Sequence, residues 1–567
     1  MCFFEVIPVC ACAALVAHQV FRRHETYSIA FHWALLLGLP VALGLVLWIL
    51  YSPTEMSTPR AAVLLYGFYL GVLGGSIVSY RLGPFHPLAN FKGPLAYRIT
   101  KLSMAVWAAT GSECFVVKAL HDKYGDVVRT GPNELSVRDP SLIPAVMGAS
   151  GLPKGPNYLG MTLTHDGLPM VGIQDTEEHL RRRRPWTRGL NSTALKEYEP
   201  LMAERVAELV ASLITLQDKV ILLDQQFAQF SHKFMSDMAF GDKSKIMHGD
   251  QKKFWSLLDD GVVFAAFFSH VPWLGFYVML LPMVAAPLQA FLSRCREFAI
   301  RRIKQGSTNR DLFYYLNNED QLHSPPPPLH QLVDDGVLAI VAGSDTTSTA
   351  LTSLFYCLLT HPKAYAAVVT EVDNCFSEGE TTLTTACHGK LPYLDAAINE
   401  SLRLFPPAPN GSLRQVPRNG KGVHVGSIFI PPGTAVCCHL YSMHLDARNF
   451  SFPDTFWPER WLLASGRINS ATPPRDLSPD AHQGSPLDAS SLKHNDMAFM
   501  PFSYGPMNCV GKNLALAEIR MVACALIRQF EFRLQDGWEA GEYRKGFRDY
   551  GIATRPKLPV LITRRSS

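Results

Sequence analysis

The sequence predicts a mainly α-helical fold with small β-sheets (α+β), preceded by transmembrane helices at the N-terminus. Three observations support this prediction. Long apolar segments occupy residues 1–82. After them, helix-like and short strand-like segments mix without a regular alternation of strand and helix, and no internal repeat occurs. With 567 residues, the chain can bury a large hydrophobic core.

Composition favours membrane contact and argues against nucleic acid. Hydrophobic residues make up 47% of the chain and charged residues only 18%, while the net charge is +4. No basic tract is interleaved with aromatic residues, as a nucleic-acid-binding surface would require. The twelve cysteines form no CxxC pair, which argues against a disulfide framework and a zinc ribbon and fits a reducing cytosolic environment. The metal-like Cys437-Cys438-His439 reads as a strand, whose successive side chains point to opposite faces.

Residues 1–82 are predicted to be a membrane anchor. Three apolar segments, at about 3–21, 28–51 and 61–80, approach the roughly 20 residues that a membrane-spanning helix needs. Positive charges follow the first and third segments more densely than the second. They are Arg22, Arg23, Arg81, Lys92, Arg98 and Lys101, against Arg60 alone between the second and third. The positive-inside rule then predicts a multi-pass protein of the endoplasmic reticulum, with a lumenal N-terminus and a cytosolic chain after residue 81.

A linker and a catalytic domain follow the anchor. The Pro/Gly-rich segment GPFHPLANFKGP, 83–94, is predicted to be the linker, and 95–567 the catalytic domain. The apolar segment 261–282 is interrupted by His270, Pro272 and Gly275. We therefore expect it to face the membrane or to line a pocket rather than to form a fourth span.

Cys509 lies in an unusual loop, FSYGPMNCVG, at 502–511. Gly505 and Pro506 predict a turn, and Gly511 permits the close approach of another group. A helix-like pattern begins directly afterwards, so the helix N-terminus is expected to lower the pKa of this thiol and favour the thiolate. A small buried hydrophobe is the alternative interpretation, which suits most of the other cysteines.

The segment VLAIVAGSDTTSTALTSLFYCLL, 337–359, reads as an apolar helix interrupted by Gly343 and the polar residues 344–349. A carboxylate and hydroxyls within a buried helix make sense if something binds at the break. Asp345 and Thr346 would then guide protons to a metal-bound ligand. Alternatively, the hydroxyls bond back to the preceding turn of their own helix.

Three further residues predict a fixed ionic cluster. Glu400 and Arg403, in AAINESLRLFPP, are three positions apart on one helix face. Arg460, in FWPERW, offers a second cation for the same carboxylate. Such pairs are common, and a buried Arg–Glu–Arg cluster indicates a fixed arrangement more than stability.

The segment DTEEHLRRRRPW, 175–186, places His179 and Arg183 on one helix face. A ligand with two carboxylates would give both side chains a partner. For at least two of the four arginines, a solvated charged face is the alternative.

These motifs resemble those of the cytochrome P450 monooxygenases. Phe502, Gly505, Cys509 and Gly511 resemble the haem-ligand loop of that family, and AGSDT at 342–346 resembles its oxygen-activation motif. The pair Glu400–Arg403 resembles its Glu-x-x-Arg pair, and PERW at 458–461 its Pro-Glu-Arg segment. The four motifs occur in the family's order, and the resemblance covers about residues 85–567. With its N-terminal spans, the chain resembles fungal membrane-bound members.

The resemblance implies a cytochrome P450 fold and haem b (iron protoporphyrin IX) as cofactor. Cys509 would be its axial thiolate and metal ligand, in a loop with Phe502, Gly505 and Gly511. Asp345 and Thr346 would be catalytic, delivering protons during oxygen activation. The family's roles imply propionate contacts for His179, Arg183 and Arg414, and a structural role near the thiolate for Glu400, Arg403 and Arg460. One departure is Met507, which stands where the family usually has a basic residue.

The implied activity is a monooxygenase that uses O2 and NADPH-derived electrons to hydroxylate or epoxidise a lipophilic small molecule, such as a fungal terpenoid or another secondary metabolite. Its electrons would come from a membrane-bound NADPH-cytochrome P450 reductase, for which the arginine run and Lys512 offer a basic surface. Two alternatives remain open at this point: a haem-thiolate isomerase or peroxide-rearrangement enzyme, and a non-catalytic haem-binding membrane protein. Asp345 and Thr346 argue against the first.

Overall fold

The structure is a computed structural model. It describes residues 2–24, 28–43, 45, 59–162, 168–241, 251–307, 309–321, 325–376, 380–472 and 486–565. In this part of the chain helices predominate and the strands are short, so the predicted fold class is confirmed.

The helices follow the chain from the anchor to the C-terminus. The helices that begin before residue 200 are α1 (Cys2–Arg23), α2 (Ile29–Trp33), α3 (Pro59–Leu82), α4 (Leu95–Ile99), α5 (Leu102–Ala109), α6 (Glu113–Tyr124), α7 (Ile143–Met147), α8 (Asn157–Thr162), α9 (Thr176–Gly189) and α10 (Ser192–Thr215). The later ones are α11 (Leu223–Phe240), α12 (Gln251–His270), α13 (Pro272–Val278), α14 (Pro282–Gln305), α15 (Leu312–Leu316), α16 (Leu329–Thr360), α17 (Pro362–Cys375), α18 (Pro392–Leu404), α19 (Leu440–His444), α20 (Glu459–Ala464), α21 (Lys512–Gln529) and α22 (Gly541–Gly546).

The strands form small sheets at the side of the helices. They are β1 (Val127–Gly131), β2 (Glu134–Val137), β3 (Val220–Leu222), β4 (Leu413–Gln415), β5 (Val423–Val425), β6 (Ile428–Ile430), β7 (Ala435–Cys438), β8 (Ser470–Ala471), β9 (Leu487–Asp488), β10 (Phe530–Leu534), β11 (Arg548–Asp549), β12 (Ala553–Thr554) and β13 (Pro559–Arg564). The largest described sheet has the order β1-β2-β7-β4, with β2 and β7 parallel, and a second has the order β10-β13-β3. β7 carries Cys437 and Cys438, which confirms that CCH begins as a strand.

The core surrounds helix α16, which is continuous from Leu329 to Thr360. The expected interruption at Gly343 is therefore wrong. An added Cβ on Gly343 would lie 2.7 Å from the Met235 side chain of α11, and one on Gly336 would lie 2.6 Å from the ring of Phe240. These glycines let α11 pack closely against α16, because helices approach nearest where side chains are smallest.

The three apolar segments of the anchor contact one another where the structure describes them. Buried residues of α1 and α3 form one small core with partly buried leucines of the second segment. The Tyr69 hydroxyl of α3 donates to the carbonyl of Leu35 at 2.8 Å, and His18 Nδ1 lies 2.6 Å from Ser76 Oγ. Within the described residues, Ala62–Leu82 is the single straight helix long and apolar enough to cross a membrane. The second predicted span, 28–51, is helical over Ile29–Leu43, and most of its remainder lies outside the described residues.

The apolar segment 261–282 is divided as its Pro and Gly residues suggested. α12 ends at His270 and α13 begins at Pro272. α13 and α14 pass the membrane-span criterion only when they are taken together, and a bend of 94° separates them. Large apolar side chains are exposed along this region, namely Phe264, Trp273, Leu280, Leu281 and Met283.

Candidate active site

The loop that carries Cys509 adopts a conformation that depends on the glycine at position 505. Ser503 and Gly505 have positive φ angles of 64° and 75°. An added Cβ on Gly505 would lie 1.9 Å from the carbonyl oxygen of Met147, which only glycine avoids. The Cys509 N–H donates to the carbonyl of Phe502 at 2.9 Å, and this bond closes the loop.

The Cys509 side chain is accessible although the protein surrounds it closely. Burial raises its thiol pKa, and the N–H groups of Gly511 and Lys512 with the charge of Arg183 offset this only in part. The N–H groups at the start of the helix lower this pKa, as predicted, but desolvation outweighs them, so the expected net fall in the thiol pKa is wrong. A thiolate at this position needs a further positive charge, which a metal ion would provide.

Gly511 and Phe502 flank the sulfur. An added Cβ on Gly511 would lie 3.9 Å from Cys509 Sγ, an ordinary contact distance, so the protein atoms alone do not require glycine there. The Phe502 ring packs against the main core, and Lys512 Nζ lies 5.8 Å from its centroid.

Thr346 lies on a face of α16 that is open although the neighbouring turns are buried. Ala342 is exposed and Thr346 is half-buried, whereas Asp345 and Thr347 are buried. The Thr346 hydroxyl donates to the carbonyl of Ala342 at 2.6 Å. This is the back-bonded geometry of the alternative interpretation, in which the hydroxyl bonds to its own helix.

Asp345 faces basic side chains from two distant segments. Its Oδ1 accepts a hydrogen bond from Arg555 Nη1 at 2.7 Å, and His232 Nε2 lies 3.5 Å from the same oxygen. Burial raises the pKa of Asp345, but His232 and Arg555 outweigh burial and lower it overall. Asp345 is therefore a carboxylate at neutral pH.

His179 and Arg183 share a face of α9, as predicted. Asp175 caps this helix by accepting from the N–H of Glu178 at 2.8 Å. His179 is buried with Nδ1 3.0 Å from the carbonyl of Met170, and within the described part of the chain its Nε2 has no partner. Arg183 donates to the carbonyl and the side-chain oxygen of Asn508, at 2.6 and 2.8 Å, and so anchors the residue next to Cys509.

Arg414 lies on β4 in the interior, beside a lysine that the sequence did not single out. Arg414 is 1% exposed, and its Nε and Nη2 lack partners among the described residues. Its Nη1 lies 2.6 Å from the sulfur of Met507. Lys154 pairs with Arg414 in an isolated β-bridge, is buried, and donates from Nζ to the carbonyl of Val171 at 2.8 Å.

Positive charges on Lys154, His179 and Arg414 are buried and would repel one another, so the pKa values of Lys154 and His179 fall. Burial, together with the positive charges of Arg414 and Arg183, lowers the pKa of Lys154 to about 7. Burial with Lys154 and the two arginines lowers the pKa of His179 to about 4. Unpaired buried cations are unfavourable, so this cluster fits an anionic group with two carboxylates.

The rest of the arginine run is divided between solvent and core. Arg181 and Arg184 are exposed, and Arg181 pairs with Glu178. Arg182 is buried and donates to Asp335 of α16 at 3.0 Å. The expectation that at least two of the four lie on a solvated face is confirmed.

Glu400, Arg403 and Arg460 form the predicted cluster, and all three are 0% exposed. Arg403 donates to both carboxylate oxygens of Glu400, at 2.8 and 2.9 Å, and Arg460 donates to one at 3.0 Å. The indole of Trp461 adds a bond of 2.9 Å. Burial raises the pKa of Glu400, but the two arginines outweigh burial and lower it to about 2.

One histidine connects this cluster to the cysteine loop. Arg403 donates to the carbonyl of His444 at 2.8 Å, and His444 Nδ1 lies 3.0 Å from the carbonyl of Arg403. The N–H of Met500, just before the loop, points at His444 Nε2 at 3.3 Å. The cluster thereby fixes where the loop begins.

The site residues that sequence reasoning missed are Lys154, His232, His444 and Arg555. Each acts through a contact between segments far apart in the chain, so no local spacing marks it. Lys154 stands in GLPKGPNY, a Pro/Gly-rich segment typical of a surface turn, so its local sequence does not indicate burial either. Within the described residues, no group of His, Cys, Asp and Glu side chains could hold a metal ion.

The chain is similar to known proteins in sequence and in fold. The family model described as cytochrome P450 matches residues 98–561. The cytochrome P450 monooxygenase phqL of Penicillium fellutanum is 31% identical, over 98% of this chain and 94% of its own. Tryprostatin B 6-hydroxylase of Aspergillus fumigatus is 28% identical, over 96% and 93%. The crystal structure of the cytochrome P450DA heme domain superposes with a TM-score of 0.65 at 16% identity, over 81% of this chain and 94% of that one. The chain belongs to the cytochrome P450 family of monooxygenases, which implies a haem bound through a cysteine thiolate.

Proposed function

We propose that this protein is a membrane-anchored monooxygenase that binds haem b through Cys509 and hydroxylates or epoxidises a lipophilic small molecule. The observation that carries the proposal is the buried cationic cluster of Lys154, His179 and Arg414 beside an accessible Cys509. Haem b brings the iron that a thiolate needs and two carboxylates for the cations. Arg183, His179, Arg414 and Lys154 would share the propionates, with Lys154 supplying the charge that Met507 does not.

Bound haem would supply oxygen activation, to which a thiolate ligand contributes electron density. Cys509 would ligate the iron, while the N–H groups of Gly511 and Lys512 moderate the charge on its sulfur. Phe502 would shield this sulfur from water. Gly511 would leave space for the flat group between the loop and α16.

Thr346 and Asp345 of α16 would move protons on the side of the site opposite Cys509. The Thr346 hydroxyl rests on the Ala342 carbonyl and can turn toward the open face of α16. Asp345, held by Arg555, would accept a proton and relay it to that hydroxyl. Glu400, Arg403 and Arg460 would hold the cysteine loop through His444.

The outer face of α9 is the proposed surface for the electron donor. Arg184, Thr187 and Arg188 line a shallow concavity that also includes Pro506 of the cysteine loop. Its positive charge suits an acidic flavoprotein, and we propose a membrane-bound NADPH-cytochrome P450 reductase. The concavity lies next to Cys509, so electrons would enter from the thiolate side.

The anchor is proposed to cross the membrane of the endoplasmic reticulum up to three times, with the catalytic domain in the cytosol. The exposed apolar side chains near α13 adjoin this anchor, since His32 stacks on Tyr277 at 5.8 Å and lies edge-on to Trp273 at 6.1 Å. The catalytic domain would therefore rest against the bilayer, where lipophilic molecules concentrate. One relative is named for the 6-hydroxylation of tryprostatin B, which supports a fungal secondary metabolite, such as a terpenoid, as the substrate class.

Co-expression with a fungal reductase, followed by metabolite profiling, tests the proposal. We expect a new product one oxygen atom heavier than its precursor, present with the intact chain and absent with Cys509→Ser. A rearranged product of unchanged mass, formed without the reductase, would instead support a haem-thiolate isomerase. A haem-loaded protein without any product in hosts that supply the precursor would support a non-catalytic role.

A further inference from the structure

A histidine lies behind the proposed proton donor, Asp345. His232 of α11 is 6% exposed and Asp345 is 8% exposed, so both side chains are inside the protein. His232 Nε2 lies 3.5 Å from Asp345 Oδ1. Arg555 Nη1 donates to the same oxygen at 2.7 Å and to Ser348 Oγ at 3.0 Å.

Hydrogen-bond accounting assigns the protons on this histidine. His232 Nδ1 lies 2.7 Å from the carbonyl oxygen of Ala228, and a carbonyl can only accept, so Nδ1 carries a hydrogen. A neutral ring with hydrogen on Nδ1 would direct the lone pair of Nε2 at Asp345 Oδ1. Because Asp345 is a carboxylate, both atoms would then be acceptors and would repel each other. A proton on Nε2 would instead face the carboxylate oxygen at 3.5 Å.

Other charged groups near His232 have partners of their own. On α11 itself, Lys233 pairs with Glu208 and Asp237 pairs with Arg205. From the C-terminal segment, Arg555 faces Asp345. From α21, Glu518 faces the neighbouring Ser231, and burial raises its pKa well above the ordinary value, so it is uncharged at neutral pH. Asp345 thus lies between the guanidinium of Arg555 and the ring of His232.

We propose that His232 is a positioning residue that gives a proton to the Asp345 carboxylate, which then passes a proton on toward Thr346. In this transfer the Nε2–H bond breaks, an O–H bond forms at Asp345 Oδ1, and the ring remains neutral with its Nδ1–H on Ala228. Nothing is oxidised or reduced, and solvent water restores the proton to the ring. Arg555 keeps Asp345 in place during the exchange. The inference rests on the proposed function, since it requires Asp345 to donate protons.

The first measurement uses purified holoprotein with an NADPH-dependent reductase and compares the native chain with His232→Gln. Glutamine retains a donor for Asp345 but cannot release a proton. In the native protein we expect the hydrogen peroxide formed per NADPH to rise in one step as pH rises, because a ring without its Nε2 proton has none to give to Asp345. In His232→Gln it should be high and independent of pH. A pH step of unchanged midpoint in His232→Gln overturns the proposal.

The second measurement needs no turnover. The infrared stretching frequency of carbon monoxide on the reduced haem responds to charge on the α16 side. We expect it to shift with pH in the native protein, with the same midpoint as the peroxide fraction, and to be constant in His232→Gln. A merely structural role for His232 would alter the frequency at every pH and leave its pH dependence intact.

The matched control is His361→Gln. His361 bonds from Nδ1 to the carbonyl four residues before it, that of Cys357 at 2.8 Å, as His232 does to Ala228, but at the far end of α16. His361→Gln should leave the pH dependence of peroxide formation and of the carbon monoxide stretching frequency unchanged. If His232→Gln does not retain haem, Arg555→Gln is the test variant in its place. Loss of the permanent cation should move the pH step in peroxide formation to higher pH. An unmoved step then overturns the proposal.

The proposed function and this inference fail in different ways. Absence of the thiolate-type carbon monoxide band in the native protein would contradict the haem assignment. A native protein that shows this band and forms product, while His232→Gln keeps the native pH step, contradicts only the role of His232.

Discussion

Thr346 can act on a proton only if its hydroxyl leaves the carbonyl of Ala342. Thr346→Ala removes that hydroxyl while the rest of α16 keeps its backbone bonds. We expect NADPH oxidation to continue, peroxide to replace product, and product formation to fall by about 10- to 100-fold, at the lower end of what positioned proton transfer contributes. Peroxide and product per NADPH are the quantities to measure.

Thr360→Ala is the control for this change. Thr360 makes the same kind of bond, to the carbonyl of Tyr356 at 2.8 Å, near the C-terminal end of α16. Its removal should leave the coupling of NADPH to product unchanged. If Thr346→Ala is as well coupled as Thr360→Ala, Thr346 has no part in proton transfer.

At the residue scale, the sequence predicts what lies within one element and misses what connects distant elements. Glu400 and Arg403 meet because three positions on a helix bring side chains to one face. Arg555 reaches Asp345 across 210 residues of chain, and no pattern near either residue indicates it. The pKa of the Cys509 thiol was mispredicted for the same reason, since its desolvation comes from the whole fold.

At the element scale, the cysteine loop depends on Gly505. Gly505→Ala would force a Cβ against the Met147 carbonyl at a φ of 75°, so the loop must shift. We expect loss of most bound haem, seen as a reduced ratio of haem absorbance to protein absorbance. Gly389→Ala is the control, because no atom lies within 4 Å of its added Cβ and its φ is ordinary. Equal haem content in the two variants would contradict this account of the loop.

The Glu400 cluster joins α18 and α20 to the loop. Glu400→Gln leaves Arg403 and Arg460 without a buried counter-charge, which costs about 3–5 kcal/mol in comparable cases. The folded-state pKa of Glu400 is about 2, below its ordinary value of 4.5. Its ionisation therefore stabilises the fold fully above pH 4.5 and progressively less as pH falls toward 2.

Thermal unfolding of the holoprotein at several pH values measures this contribution. Glu400→Gln should unfold at a markedly lower temperature at neutral pH, and the difference from the native protein should narrow in acid. Glu531→Gln, an exposed residue of β10, should match the native protein throughout. An equal melting temperature for Glu400→Gln and the native protein at neutral pH would contradict the role of the cluster.

Helix prediction failed at Gly343 for an identifiable reason. A glycine followed by hydroxyl and carboxyl side chains is unfavourable in an isolated helix. In the fold, Gly343 leaves room for the Met235 side chain, and the hydroxyls of Ser348 and Thr352 donate to carbonyls of their own helix. Tertiary packing thus favours a continuous α16 where local propensity predicts a break.

At the scale of the whole molecule, the proposed anchor would set the orientation of the catalytic domain. With a lumenal N-terminus and three spans, a glycosylation tag at residue 1 should be modified, and one placed after residue 100 should not. A shift in electrophoretic mobility that an endoglycosidase reverses reports each modification. Modification of the second tag alone would contradict the proposed topology.

The overall architecture was predictable because its motifs are local and occur in a fixed order. The order of the AGSDT, Glu-x-x-Arg, PERW and cysteine segments was sufficient to predict the fold. The association of the anchor segments through Tyr69 and Leu35, and the contact of His32 with α13, were not predictable, because they depend on how separate helices pack. The cationic cluster likewise comes from α9, β4 and the Lys154 segment together.

The most direct test is the spectrum of the reduced, purified protein with carbon monoxide. The native chain should give the red-shifted absorption band typical of thiolate-bound haem. Cys509→Ser should lose it, while Cys375→Ser, on α17, should keep it. A native protein without haem, or a Cys509→Ser protein with an unchanged band, would contradict the assignment of Cys509 as the haem ligand.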